Sequence, residues 1–453
     1  MKVAIIGTGY VGLTTCLAMA YLNHEVVGVD KDPSKLSLLR QGISPIHETG
    51  VQALLHQTTG NICFTDDLAS AVADSEVIMI AVGTPPKQDG EADIRYVEEA
   101  AEEVACSLEP NRDYVIVIKS TVPIGTNRRI MHLVHSALEE RGIRTNVYFA
   151  SNPEFLQEGL ALRGTFYPDR IVVGTDRPEA IDAMQQLHQP ILERTFDHPD
   201  FLTAPDDENL PPLIATDATN AEMIKYAANA FLALKISFIN EIAGLCERIE
   251  ADVTEVARGV GLDSRISHRF LQAGAGWGGS CFPKDTAALL RVASEYGYSM
   301  PIIEAAREVN QRQRVSIVEK LQHALKILRG RTIGILGLAF KPNTDDVRGA
   351  PALEIIRLLH EQGAYVCAHD PVAIPHARRD LENIEIEYVE DAYAVSNGAD
   401  AIVLMTDWNE YRALNLRILA KPMSTPILVD GRNIYSPDEA RNAGFQYMGI
   451  GRE

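Results

Sequence analysis

Short apolar runs alternate with stretches of helical spacing through the first part of the chain. Residues 2–6 form an apolar run, 11–21 carry apolar positions at helical intervals, and 25–29 form a second run closed by Asp30. Further runs stand at 77–82 and 114–119, with 147–150 and 171–173 after them. Unbroken β-rich runs separated by helical patterns predict strands of a parallel sheet covered on both faces. The pattern breaks at 197–217, where Pro199, Pro205, Pro211 and Pro212 stand among acids, and a linker or surface loop is expected. From 218 to 250 there is no proline, and Met223, Ala227, Phe231, Leu234, Phe238, Ile242 and Leu245 keep helical spacing. A helix of about thirty residues would be ~45 Å long. That suits a spine between domains or a subunit interface. Shorter helical patterns are expected from 253 to 328.

A second strand–helix–strand pattern begins at 331: a strand over 332–340, a helix over 353–361, and a strand over 365–369 that ends in Asp370. Residues 67–74 leading into 77–82 are echoed by 391–395 leading through 398–400 into 401–405. Both read as a short helix, a tight turn and a buried strand. The expected fold class is α/β: two doubly wound parallel-sheet domains joined by a helical middle domain with a long central helix. The boundaries are set at 1–200, 213–325 and 326–453.

The length of 453 residues agrees with about three domains at roughly 150 residues each. Apolar residues at 46% and charged residues at 23% are ordinary globular values, so disorder is not the default. Lys plus Arg total 42 against 62 Asp plus Glu, a formal net charge of −20, and no basic run offsets it. Nucleic acid and anionic membrane surfaces are therefore poor partners. A small anion can still be held by a few placed cations and N–H groups. The six cysteines make no CxxC pair, so neither a zinc site nor a disulfide framework is expected, and no metal is assigned. No secretion-type leader is read at the start, and no apolar stretch is read as approaching the ~18–20 residues of a membrane span. A soluble, cytoplasmic protein is expected.

Gly7-Thr8-Gly9-Tyr10-Val11-Gly12 fits G-x-G-x-x-G between a strand and a helix, with Asp30 ending the next strand. Such glycines give a tight turn, close approach of a pyrophosphate and close helix packing, and the acid accepts from ribose hydroxyls. A carboxylate there repels a 2′-phosphate, so NAD is favoured over NADP. This makes the first domain Rossmann-like. Cys281 lies in Gly278-Gly279-Ser280-Cys281-Phe282-Pro283-Lys284-Asp285, with Pro283 placed at the first position of a helix. A thiol at a helix N-terminus beside a lysine is a thiolate candidate. Cys16, Cys63, Cys106, Cys246 and Cys367 read instead as buried small apolar residues. Lys225 and Asn229 share one helix face, which by itself suits a solvated face. Glu154 and Glu158 follow a predicted strand and could equally be surface acids. Thr84 and Thr121 also follow strands, where cofactor contact and plain turn chemistry are about even.

Taken in order, the segments 7–12, 82–85, 120–122, 152–159, 221–229, 278–285, 337–341, 344–348 and 430–432 resemble the UDP-glucose/GDP-mannose dehydrogenase family over nearly the whole chain. The resemblance implies a second Rossmann-like domain at the C-terminus. It implies four-electron, NAD-dependent oxidation of a nucleotide sugar at C6, UDP-glucose to UDP-glucuronate, through a Cys281 thiohemiacetal and thioester. Lys225 and Asn229 would stabilise the oxyanion, Asp285 with Thr121 would hold a water, and Glu154 would serve as base in hydrolysis. Glu158 would lie near the nicotinamide. Lys35, Thr84, Lys284 and Arg348 would reach the cofactor along with Gly7, Gly9, Tyr10, Val11, Gly12 and Asp30. The substrate would meet Glu154, Phe155, Leu156, Lys225 and Asn229, the loop Phe270, Leu271, Gln272, Ala273 and Gly274, and Gly278, Phe340, Lys341 and Arg432. Arg265 would reach a neighbouring subunit's substrate, so a homodimer or larger homo-oligomer is expected. The stretch 197–217 is longer than the usual connection, and Trp277 receives no role. GDP-mannose or a UDP-N-acetylhexosamine by the same mechanism is the alternative, although Pro283-Lys284-Asp285 fits the UDP-glucose branch better than the N-acetylhexosamine one. A two-electron hydroxyacid dehydrogenase and a non-enzymatic NAD sensor are more distant readings.

Overall fold

The computed structural model describes residues 1–87, 90–205 and 209–452. It divides into two compact units, Met1–Ala227 and Ala228–Glu453. The first is built on an eight-stranded sheet: β1 (Lys2–Ile6), β2 (Glu25–Val29), β3 (Ile62–Thr65), β4 (Val77–Ile80), β5 (Asp113–Ile118), β6 (Asn146–Ser151), β7 (Ile171–Gly174) and β8 (Leu213–Thr216), in the order β3-β2-β1-β4-β5-β6-β7-β8. Neighbours pair in parallel except β6 and β7, which run antiparallel and meet at Ser151↔Gly174. Val3, Ala4, Ile5 and all of Val77–Ile80 are buried, as strands covered on both faces must be. Two separate apolar cores lie on the two faces of this sheet, one with Ile5, Leu13 and Met79, the other with Ala4, Ile78 and Val104.

The stretch 197–217 is more than the expected linker. Among its described residues, Leu213–Thr216 forms β8, paired in parallel with β7 at Ile171↔Leu213 through Gly174↔Thr216. Pro211 and Pro212 precede this edge strand, where a missing N–H costs no ladder bond. Residues 206–208 lie outside the described residues.

The second unit carries a six-stranded, all-parallel sheet: β9 (Thr332–Leu336), β10 (Tyr365–His369), β11 (Ile386–Tyr388), β12 (Ala401–Leu404), β13 (Ile427–Asp430) and β14 (Gln446–Met448), in the order β11-β10-β9-β12-β13-β14. This repeats the order of β1 to β6. The echoed segments occupy matching places: helix Leu68–Ala73 precedes β4 beside β1, and the 3₁₀ helix Ala392–Ser396 precedes β12 beside β9. β9 stops at Leu336 rather than running to 340. Gly337 turns the chain at φ +97°, where an added Cβ would lie 2.4 Å from Thr406 Cβ.

Helix Ala218–Ile249 spans 32 residues, as its spacing predicts. Its large apolar stripe, however, faces outward: Met223, Phe231, Phe238, Leu245 and Ile249 are exposed, Phe231 to 61%. The buried face is made of Ala221, Tyr226, Ala230, Ala233, Ile239 and Ala243, with Glu222, Lys225, Asn229 and Asn240 among them. By length and mean hydropathy this helix could cross a membrane, contrary to expectation. Its buried ionised and amide groups are bonded within the protein, where bilayer hydrocarbon would not satisfy them. A second long helix, Pro301–Leu325, replaces part of the shorter helical patterns expected before 328. Its mixed polar surface hides the length.

Candidate active site

In the first unit, β1 ends at Ile6, and the next residue, Gly7, starts the turn into helix Tyr10–Tyr21 with a φ of +92°. An added Cβ on Gly12 would lie 1.7 Å from Gly7 O, so this pair is fixed by helix–turn packing. Gly9 differs: an added Cβ there meets nothing within 4 Å, so its bare backbone is open to a ligand. Asp30 Oδ2 accepts from Thr8 N (2.8 Å), Thr8 Oγ1 (2.7 Å) and Lys35 Nζ (2.8 Å), and Oδ1 accepts from Asp32 N (3.0 Å). Burial disfavours its ionised form, but Lys35 and the Asp32 and Thr8 donors outweigh that and hold the carboxyl down to about 2. A cavity of about 440 Å³ is lined by Gly7, Gly9, Asp30, Lys35, Val82 and Gly83, among others. Exposed glycine backbone, a helix N-terminus and a fixed carboxylate are what a dinucleotide requires. Tyr10 is half-buried, its hydroxyl donating to His47 O, and Val11 is half-buried beside it. Thr84 Oγ1 donates to Thr121 O (2.8 Å), linking the loops after β4 and β5.

A second cluster of the first unit lies after β6. Glu154 Oε1 accepts from Lys225 Nζ (2.9 Å) and Oε2 from Leu156 N (2.5 Å). Burial works against the Glu154 carboxylate, yet Lys225, Leu156 N–H and Lys119 bring its pKa below the ordinary value. Phe155 is stacked by Arg170 at 3.8 Å from its ring centre, with Lys225 Nζ 5.5 Å away. Glu158 is half-buried in the turn ahead of helix Ala161–Phe166. Glu48, not singled out from sequence, accepts from Gly159 N and Ala161 N and fixes that turn. Glu222, one turn before Lys225, accepts from Gly125 N (2.6 Å) and Asn127 N (2.8 Å) at the start of helix Thr126–Arg141.

In the second unit, Cys281 caps helix Phe282–Glu295 and is half-buried, with Ser280 Oγ 3.6 Å from its sulfur. Pro283 takes the second helical position, one later than expected. Fully buried Asp285 accepts from Asn229 Nδ2 (2.6 Å) and Lys284 Nζ (2.5 Å). Cys16, Cys246 and Cys367 are buried as expected, but Cys63 and Cys106 are exposed, because each lies at a solvent-facing position of its element.

The loop before Cys281 is held from two helices. Gly274 N donates to Asn240 Oδ1, Trp277 N to Asn310 Oδ1 and Trp277 Nε1 to Ser237 Oγ. Trp277, given no role from sequence, is buried and meets Phe282 edge-on at 6.2 Å. Phe270 sits at φ +65°, a strained conformation for a bulky residue. Leu271 and Ala273 are core residues, which leaves backbone as their offer to a ligand, while Gln272 is exposed. An added Cβ on Gly274 would lie 2.7 Å from Gly431 O, and one on Gly278 2.3 Å from Gly349 O. Arg432 donates to Met405 O, Gly276 O and Phe340 O, tying three loops together. Lys341 Nζ stands 5.4 Å from the Phe340 ring centre. Arg348 is paired with Asp346, and Arg265 with Asp263 while its side chain is 85% exposed.

The sequence profile of the UDP-glucose/GDP-mannose dehydrogenase family matches this chain with its NAD binding domain at 1–192, its central domain at 219–312 and its UDP binding domain at 334–437. The chain belongs to this family. UDP-glucose 6-dehydrogenase TuaD of Bacillus subtilis (strain 168) is 46% identical over 453 residues, which is all of this chain and 93% of the relative. The UDP-glucose 6-dehydrogenase of Rhizobium meliloti (strain 1021) is 44% identical over 458 residues, covering 100% of both. A solved UDP-glucose dehydrogenase from the hyperthermophilic archaeon Pyrobaculum islandicum superimposes with a TM-score of 0.88 at 39% identity, covering 100% of this chain and 98% of that one. The chain is an NAD-dependent oxidoreductase of the nucleotide-sugar dehydrogenase type, and the turn at Gly7–Gly12 and Asp30 lie within the part matched by the family's NAD binding domain.

Proposed function

We propose that this enzyme oxidises UDP-glucose to UDP-glucuronate and that Cys281 carries the intermediate. The observation that supports it most is the thiol at the start of helix Phe282–Glu295, followed one turn on by a buried Asp285 that Asn229 and Lys284 bind. A two-electron dehydrogenase needs no such thiol. Bound NAD would accept a hydride at each oxidation. The C6 alcohol loses a hydride and a proton to give an aldehyde, and the Cys281 sulfur adds to its carbon. The thiohemiacetal loses a second hydride and proton to give a thioester. Water then adds, the C–S bond breaks, and the carboxylate leaves with the thiol restored. Lys225 and Asn229 would donate to the oxygen that carries charge in these steps. Glu154 would take the proton of the attacking water, and Asp285 would assist proton transfer.

Self-association belongs to the same proposal. The outward stripe of Phe231, Phe238, Leu245 and Ile249 is the kind of apolar face that a second copy covers, and exposed Arg265 would then serve a neighbour's substrate. Both co-substrates are soluble anions of the cytoplasm, so the enzyme is placed there. The test is a substrate panel: UDP-glucose, GDP-mannose and UDP-N-acetylhexosamines with NAD, followed by NADH formation. Turnover should be fastest with UDP-glucose. Preference for another sugar would move the substrate assignment and leave the mechanism.

A further inference from the structure

The residue after β5, Lys119, is not used in the mechanism above. Its Nζ donates to Asn152 Oδ1 (3.0 Å). Asn152 in turn donates through Nδ2 to Val172 O (2.8 Å) and through its backbone N to Ile118 O (2.9 Å). The amide is thereby oriented, and the chain of bonds spans β5, β6 and β7. It does so where the sheet is weakest, since β6 and β7 meet only at Ser151↔Gly174 among the described residues. Two residues on is Glu154, with Lys225 at 2.9 Å.

The charged groups around this point come from four elements. Lys119 follows β5, Lys225 stands on the long helix, Arg170 stacks on Phe155 just ahead of β7, and His188 stands on helix Pro178–Glu193. Burial, with Lys119 adding to it, pushes His188 down to about 4, so it is neutral near pH 7 and adds no charge. Lys119 itself is pushed down to about 8 by burial, with Glu154 opposing and Lys225 adding to the effect.

We propose that Lys119 is a positioning residue: through Asn152 it fixes the segment bearing Glu154, and with Lys225 it holds Glu154 as the carboxylate that acts as base. This rests on the reading of Glu154 as the hydrolytic base. Removing one of two nearby cations raises a carboxylate's pKa, so the acid limb of activity must move to higher pH.

The experiment compares the full-length enzyme with Lys119→Met and Lys119→Arg, each by kcat, KM and pH profile with UDP-glucose and NAD. In parallel, the Glu154 carboxyl is titrated by carbon-13 NMR, assigned with Glu154→Gln. Lys119→Met should lower kcat about tenfold, leave KM within about threefold, and move both the acid limb and the Glu154 titration up by about one unit. Lys119→Arg should restore the titration and most of the rate. An unmoved Glu154 titration in Lys119→Met overturns the proposal, as does an arginine variant no better than methionine. If the wild type fails to oxidise UDP-glucose, the functional reading falls, and the NMR titration still decides the role of Lys119.

Discussion

Lys225 Nζ lies 2.9 Å from Glu154 Oε1, with side-chain exposures of 3% and 7%. Seventy-one positions separate the two in sequence, and the pair is buried beside the Phe155 ring. Removing one member of a buried pair typically costs ~3–5 kcal/mol, because it strands the other charge. Glu154→Leu should therefore destabilise strongly, and Glu154→Leu/Lys225→Met should be more stable than Glu154→Leu alone. Urea midpoints check this, and simple additivity of the two single losses would speak against coupling. Lys225→Ala should also lower kcat by ~10²–10³, the typical loss of an oxyanion donor.

Asp30 should enforce NAD. Its carboxylate is fixed by Thr8, Asp32 and Lys35, and its depressed pKa keeps it charged throughout the working range. Like charges at ~4 Å repel by about 4 kcal/mol near a protein surface. The ratio of kcat/KM for NAD over NADP should be roughly 10²–10³, unchanged between pH 7 and 9, where Asp30 and the 2′-phosphate are both fully ionised, and reduced in Asp30→Asn. Equal use of both cofactors by the wild type would refute the assignment.

Cys281→Ser should keep the fold and stall the reaction. One sulfur-to-oxygen change at a half-buried helix cap removes little packing. A serine hydroxyl is a far weaker nucleophile than a thiolate, and its ester resists water more than a thioester does. Intermediate retained on the protein, seen by intact mass, is the expected sign. Near-normal turnover would show that Cys281 is not the nucleophile.

Glu222 caps helix Thr126–Arg141 from the long helix, with Gly125 N and Asn127 N as its donors. Burial raises its pKa to about 6, against those two bonds. A carboxyl raised on folding is harder to ionise in the folded state. Its cost is absent below the unfolded value near 4.5 and fully present above about 6. Between pH 7 and pH 4.5 the wild type should gain up to about 2 kcal/mol relative to Glu222→Gln. Denaturation at both pH values measures it, and identical pH dependence in the two proteins would contradict it.

The parts of the fold written in local order could be read from the chain. The turn at Gly7, the strand ending in Asp30 and the 32-residue helix each rest on spacing within one or two elements. The same local order exposed the repeat, as the echo of 67–82 in 391–405, and the strand orders then set Asp370 after β10 where Asp30 stands after β2. In the second sheet, though, Leu338 N, Ala339 N and Trp408 Nε1 all donate to Asp370 Oδ2. β8 escaped notice because its four residues are partly exposed and follow prolines, so neither burial nor alternation marks them. The Glu154–Lys225 pair and the Lys119–Asn152 bond depend on how β5, β6, β7 and the long helix come together, which no spacing encodes. Trp277 and the outward stripe of the long helix were visible as residues, but which side each faces is decided by tertiary packing.

The central claim is a four-electron oxidation through Cys281, and counting reduced cofactor tests it most directly. A limiting amount of UDP-glucose is consumed to completion with excess NAD, and NADH and sugar product are both quantified. Two NADH per UDP-glucose, with UDP-glucuronate as the product, is the expected result. One NADH per sugar, with an aldehyde or ketone accumulating, would contradict it.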